Sequence, residues 1–169
     1  NQRRRLLRGL LAAAGLGCGM RVSADVVEVR RIGLLSTHTG EELELDYFSG
    51  GAYQPQALAA FDQLLRDHRT GDVAPIDPQL LDLLVELHRR TSSRKGYQVI
   101  SGYRSPKTNA MLASASNGGV AKRSLHMDAK AIDIRLYDVA LSDLRQTALG
   151  MKAGGVGYYA KSNFVHVDT

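Results

Sequence analysis

The sequence predicts an α+β domain: a mostly antiparallel sheet with flanking helices. Three observations lead there. A chain of 169 residues with 44% apolar content is the size of one domain with a proper core. Runs with a period of two sit near both ends, separated by short turns. Segments of helical period lie between them without a strict βαβ rhythm.

The elements follow in order. Val26 to Leu35 is rich in β-branched and apolar residues and reads as a strand. Thr39-Gly40 makes a turn, and Glu41 to Phe48 is the returning strand of a hairpin. Gly50-Gly51 breaks the chain. Pro55 sits in the first turn of a helix in which Leu58, Phe61, Leu64 and Leu65 recur at helical spacing. After a loop from Thr70 to Ile76, Asp77 reads as an N-cap with Pro78 at the first helical position. Leu80, Leu81, Leu84, Leu87 and His88 then share one face. Tyr97 to Ser101 is a short strand, and Pro106 opens a helix expected to reach about Ser116, where Asn117-Gly118-Gly119 ends it. Ala131 to Leu136 is a strand, Ser142 is expected to cap a helix reaching Lys152, and 154–159 and 164–168 form a last pair of strands.

The net charge of +5 and pI near 9.5 raise the question of a nucleic-acid partner. Five of the 22 basic residues, Arg3, Arg4, Arg5, Arg8 and Arg21, fall within residues 1–24, which contain no acid. The remainder carries 17 basic and 17 acidic residues and is neutral, so nucleic-acid binding loses its main support. Residues 1–24 instead have the three parts of an export signal: a basic start, an apolar stretch from Leu6 to Leu16, and small residues at Val22-Ser23-Ala24 for cleavage. Arg3-Arg4-Arg5-Leu6-Leu7-Arg8 fits the twin-arginine pattern. The apolar part is too short and interrupted for a stable membrane span. The expected location is therefore the periplasm, reached through the export machinery, with residues 25–169 as the working domain. Neither end has the look of a natural terminus, with Asn1 in place of Met and a stop at Thr169, so further sequence is expected. Cys18 is the single cysteine, which excludes an internal disulfide. Lipid attachment there is disfavoured because Gly15 stands where such signals prefer Leu.

Of the five histidines, His38 falls in a turn, and His68 and His88 fall near helix ends where the dipole suits them. His126 and His166 differ, because each has a carboxylate at an informative spacing. Asp133 lies inside a strand with Ala131 and Arg135 on its face and Ile132, Ile134 and Leu136 on the other. A carboxylate amid apolar strand residues needs a partner, either a divalent metal or a group such as Arg135. In the last strand, Phe164, His166 and Asp168 share one face, with Val165 and Val167 toward the core. Two imidazoles and one carboxylate make an open tetrahedral zinc site with a water in the fourth position. No HExxH is present, which excludes a helical zincin site.

Ser124-x-His126, Ala131 and Asp133, followed by a late strand histidine, resemble the zinc D,D-peptidases and endolysins of the hedgehog-like fold. Ile100-Ser101-Gly102-Tyr103-Arg104-Ser105, Gly154-Gly155-Val156-Gly157-Tyr158-Tyr159 and the segment from Ser162 to Thr169 are similar to the YcbK-like murein endopeptidases. The resemblance implies hydrolysis of cross-links or stem peptides in peptidoglycan, with one zinc per chain on His126, Asp133 and His166. It implies Arg104 as a binder of substrate carboxylate or developing oxyanion, and Tyr103, Ser124 and Tyr158 as substrate contacts. The wider family has Gly where Ala129 stands, and many relatives have an acid, the general base, where Asn163 stands. Asp168 is the nearest substitute for that base; its alternative role is to orient a ligand histidine. A non-catalytic zinc or cell-wall-binding module on the same fold is the competing reading.

Overall fold

The computed structural model describes residues 28–115, 121 and 123–169. The proposed export signal, Cys18, the start of the first predicted strand and the stop at Asn117-Gly118-Gly119 lie outside the described residues. Strands β1 (Arg30–Ser36), β2 (Glu42–Ser49), β3 (Ala52–Tyr53), β4 (Tyr97–Ser101), β5 (Ala131–Arg135), β6 (Val156–Tyr159) and β7 (Phe164–Asp168) form one sheet. Its order is β3-β2-β1-β4-β5-β7-β6, and only the β1–β4 pair is parallel. The helices are α1 (Pro55–Leu64), α2 (Pro78–Thr91), α3 (Pro106–Ala115) and α4 (Leu141–Met151).

Helices α1, α2 and α4 pack on the sheet, and Phe61, Leu80, Leu84, Leu87 and Leu144 are fully buried against Ile132, Ile134, Val165 and Val167. Helix α2 begins as its sequence dictates: the Asp77 carboxylate accepts from Gln79 N at 3.0 Å, with Pro78 behind it. Three polar side chains tie the sheet to its middle. Tyr47 and Tyr53 donate to the two oxygens of Asp82 at 2.8 and 2.6 Å, and Arg30 pairs with the same carboxylate at 2.8 Å.

Two local expectations change. Ser142 does not cap α4; Ala140 is the N-cap residue, without a side-chain bond, and the Ser142 hydroxyl turns to Asp143. The helix starts two residues early because extended backbone at Ala140 leads straight into it. His68 lies four residues beyond the end of α1, where its ring stacks on His38 at 3.8 Å, so ring packing and not a helix dipole accounts for it.

Strands β5 and β7 carry the polar face. Their antiparallel register sets Asp133 directly opposite His166 and Ala131 opposite Asp168, with Ile132 and Val167 turned to the core.

Candidate metal centre

His126 reaches the site from a 3-10 turn, Leu125–Asp128, between α3 and β5. Ser124 Oγ accepts from His126 N at 3.4 Å, and Ala129 closes the turn in the left-handed region with φ 54°. That conformation is the reason for glycine at this position in the wider family. Here the methyl is accepted, and it is buried in the core. The turn is held from both sides, as Arg104 N donates to His126 O at 3.1 Å and Asp77 N to Ala129 O at 3.1 Å.

The three side chains converge. His126 Nε2 lies 3.3 Å from Asp133 Oδ1 and 3.2 Å from His166 Nδ1, which is 2.9 Å from the same carboxylate oxygen. The outer nitrogens settle the tautomers. His126 Nδ1 donates to the Gly102 carbonyl at 2.7 Å, and His166 Nε2 to Asp168 Oδ2 at 3.2 Å. The two inner nitrogens therefore turn lone pairs toward each other and toward an anionic oxygen. Three acceptors in mutual contact call for a cation between them. An ion with bonds of about 2.0 Å in tetrahedral array keeps its ligand atoms about 3.3 Å apart, which the observed spacing matches closely. The donor set, two imidazoles and a carboxylate, fits zinc.

The electrostatics agree. Burial alone would push the Asp133 carboxyl up, but the facing imidazoles of His126 and His166, wherever an inner nitrogen takes up a proton, hold it down at about 2. At His166, burial disfavours the charged ring, yet contact with Asp133 and then Asp168 raises its pKa above the ordinary value. A field that favours a proton on His166 favours a divalent cation still more.

Asp168 is itself fixed. Its Oδ1 accepts from Gly155 N at 2.5 Å while Oδ2 faces His166. A side chain on Gly155 would come within 2.5 Å of Oδ2, so the diglycine is a cradle for this carboxylate.

The centre opens into a cavity of about 310 Å³ whose walls include Arg104, Ser124, Tyr159 and Phe164. Arg104 Nη2 lies 3.6 Å from Asp133 Oδ2 and 3.5 Å from Ser101 Oγ, and its buried Nε has no partner among the described residues. Burial lowers its pKa, with Asp133 opposing. Behind it Asp67, 1% exposed, accepts from Ser105 N at 2.9 Å, Ser105 Oγ at 2.7 Å and Arg69 N at 2.9 Å. Burial opposes that anion, but these donors outweigh it and hold the carboxyl well below the usual range. Asp67 anchors the segment that carries Arg104. Nothing in the sequence marks it, because its partner is 38 positions away.

Two predicted contacts lie elsewhere. Tyr158 pairs with Val165, on the face of β6 opposite the metal centre, with Arg145 over its ring at 5.1 Å. Its neighbour Tyr159 lines the cavity instead, because alternate residues of a strand face opposite ways. Tyr103 packs against the core, its N–H donating to Leu65 O at 2.8 Å, and does not line the cavity.

Comparison with known proteins identifies the family. Residues 24–169 match the family Peptidase_M15_2, described as peptidoglycan L,D-endopeptidase MepK. The chain is 41% identical over 169 residues to the peptidoglycan L,D-endopeptidase MepK of Escherichia coli strain K12, covering 96% of this chain and 92% of that protein. It is 36% identical over 170 residues to the probable peptidoglycan L,D-endopeptidase MepK of Haemophilus influenzae, at 96% and 91% coverage. A match of this extent, over a converging His-Asp-His set, means that the chain belongs to the Peptidase_M15_2 family of zinc-dependent peptidases.

Proposed function

We propose that this protein is a peptidoglycan endopeptidase that works in the periplasm at a single zinc ion held by His126, Asp133 and His166, cutting the L,D type of peptide bond given in its relatives' names. The observation that carries the zinc assignment is the meeting of three lone-pair donors at 2.9 to 3.3 Å, each histidine backed by an acceptor on its outer nitrogen. Zinc in such a site supplies a water activated near neutral pH and a Lewis acid for the scissile carbonyl.

The remaining chemistry belongs to the chain. Gly102 O and Asp168 hold the histidine rings with lone pairs inward. Arg104, with an unpartnered buried Nε, binds a carboxylate of the stem peptide or the oxyanion. Ser124, on the cavity wall, caps the turn that presents His126 and contacts substrate. Asp168, with one oxygen on Gly155 N and the other on His166, fits a positioning role better than that of a free base.

Export accounts for the route to the substrate: the twin-arginine-like start and the charge excess confined to residues 1–24 support it. Among the described residues no helix is long and apolar enough to cross a membrane. Family membership favours an enzyme over a non-catalytic wall-binding module. The test is digestion of isolated peptidoglycan with and without a chelator, followed by muropeptide chromatography. Cross-linked dimers should fall and monomers rise only when zinc is present. An unchanged profile with the zinc-loaded protein refutes the function.

A further inference from the structure

Tyr159 stands on β6 opposite Phe164 of β7, two residues from the Gly157–His166 pair. Its ring lies back along the strand over Gly157. A Cβ at position 157 would come within 2.8 Å of Tyr159 Cε2 and 3.6 Å of Cζ, and within 3.0 Å of His166 Cβ. The hydroxyl-bearing end of the ring is therefore beside the last metal ligand. Gly157 leaves the space that lets it lie there. Phe164 holds the other side, stacked at 4.5 Å between centroids with the planes 20° apart.

Tyr159 is 43% exposed, lines the same cavity as Arg104, and its hydroxyl has no hydrogen-bond partner among the described residues. A phenol fixed beside a metal centre, with its O–H free, is a ready donor. Asn163 offers no acid, and both oxygens of Asp168 are already engaged. The cavity wall carries the donors Arg104, Arg123, Ser124 and Tyr159, and of these the Tyr159 ring is the one laid over Gly157 beside His166.

We propose that Tyr159 is a catalytic residue whose hydroxyl donates a hydrogen bond to the scissile carbonyl oxygen as hydroxide, left when the attacking water gives one proton to solvent, adds to the carbonyl carbon. The C=O π pair becomes the charge on that oxygen, and the phenol keeps its proton throughout. The proposal rests on the peptidase reading above and adds the donor that stabilises its transition state. Removal of one such donor lowers turnover by about 10²- to 10³-fold.

The experiment compares wild type with Tyr159→Phe, Tyr159→Ala and Gly157→Ala, all zinc-loaded. It measures kcat and KM on a purified cross-linked muropeptide. Equilibrium affinity is measured for a phosphinate analogue of the tetrahedral adduct and for the uncleavable ground-state peptide. Tyr159→Phe should lower kcat and phosphinate affinity together by about 10²-fold, with KM and ground-state affinity within about twofold of wild type and zinc content unchanged. Gly157→Ala, which displaces the ring, should follow it. Wild-type kcat and phosphinate affinity in Tyr159→Phe, with a raised KM only in Tyr159→Ala, would make the ring a mere aromatic wall and overturn the proposal. Loss of zinc in Tyr159→Phe would overturn it too, by making the residue a support of the metal. Absence of chelator-sensitive turnover in the wild type would instead sink the peptidase reading, and this proposal with it.

Discussion

Replacing Asp168 by asparagine separates a positioning role from a base. The amide has nearly the shape of the carboxylate, and its oxygen can still accept from Gly155 N, now at 2.5 Å. The NH₂ group then occupies the place of Oδ2, 3.2 Å from His166 Nε2. A donor there favours the tautomer in which Nε2 accepts and Nδ1 carries the proton. Nδ1 is the atom that faces Asp133 and His126, so the proton stands where the metal bond forms. Loss of such an outer partner weakens metal binding about 10- to 100-fold, or about 1.4 to 2.7 kcal/mol. Competitive zinc titration against a chromophoric chelator reads that affinity directly. Turnover at saturating zinc should recover to within several-fold of wild type. An unchanged zinc affinity with a loss of about 10²-fold or more in kcat would refute the reasoning and make Asp168 the base.

The other predictions test the frame and the route. Asp67→Asn should lose about 2 kcal/mol at neutral pH in denaturant unfolding, because an amide leaves either Arg69 N or the two Ser105 donors facing an NH₂ group. Since the folded Asp67 pKa is depressed, its stabilisation is full above the unfolded value of about 3.9 and fades as pH falls below it. The gap between wild type and variant should therefore close in acid; a gap constant from pH 7 to pH 3 would contradict the assignment. Ala129→Gly relieves a left-handed alanine worth about 1 kcal/mol or more but loses a buried methyl worth about 0.8 kcal/mol and loosens the unfolded chain. Its thermal midpoint should stay within about 3 °C of wild type, and a larger shift would mean that one effect is misjudged. Arg3→Lys with Arg4→Lys should abolish periplasmic accumulation in cell fractionation, since a receptor that reads paired guanidinium groups rejects ammonium groups. Normal accumulation would exclude the twin-arginine route.

The faces of His166 and Asp133 were legible because strand alternation is a local property. Phe164, His166 and Asp168 had to share a face, and Asp133 had to stand apart from Ile132 and Ile134, whatever lay beside them. The register that sets Asp133 opposite His166 was not legible, because it depends on pairing across 33 positions. The Gly155–Asp168 bond and the Asp67–Ser105 anchor were hidden for the same reason. Tyr158 faces away from the cavity for a reason of strand parity. Once His166 faces the metal, its partner Gly157 does too, and the parity of β6 selects Tyr159 over Tyr158. Asn163 became intelligible only with its backbone: at φ 55° in the β6–β7 turn, it is a residue type that tolerates the left-handed region.

The arrangement of supports explains how one turn residue, His126, and two strand residues, Asp133 and His166, form a single fixed centre. Each inner imidazole nitrogen is aimed by a group from a different segment: Gly102 at the end of β4 for His126, and Asp168, itself fixed by Gly155, for His166. Gly102 can stand so close because it has no side chain; a Cβ there would lie 2.6 Å from the Leu65 carbonyl. The aiming groups are thus backbone atoms and a clamped carboxylate, which lose little freedom when the ion arrives. Their effect is to hold three acceptors in contact, an arrangement that is repulsive until a cation neutralises it. That repulsion links zinc affinity to the fold: whatever loosens β4, the Leu125–Asp128 turn or the β6–β7 hairpin lets the acceptors part and weakens the ion's hold. Zinc should accordingly raise the thermal midpoint of the wild type in proportion to the logarithm of its free concentration. The shift should shrink in Asp168→Asn, where the inner lone pair of His166 is no longer enforced. An equal zinc-induced shift in both proteins would show that the outer partner does not govern the metal.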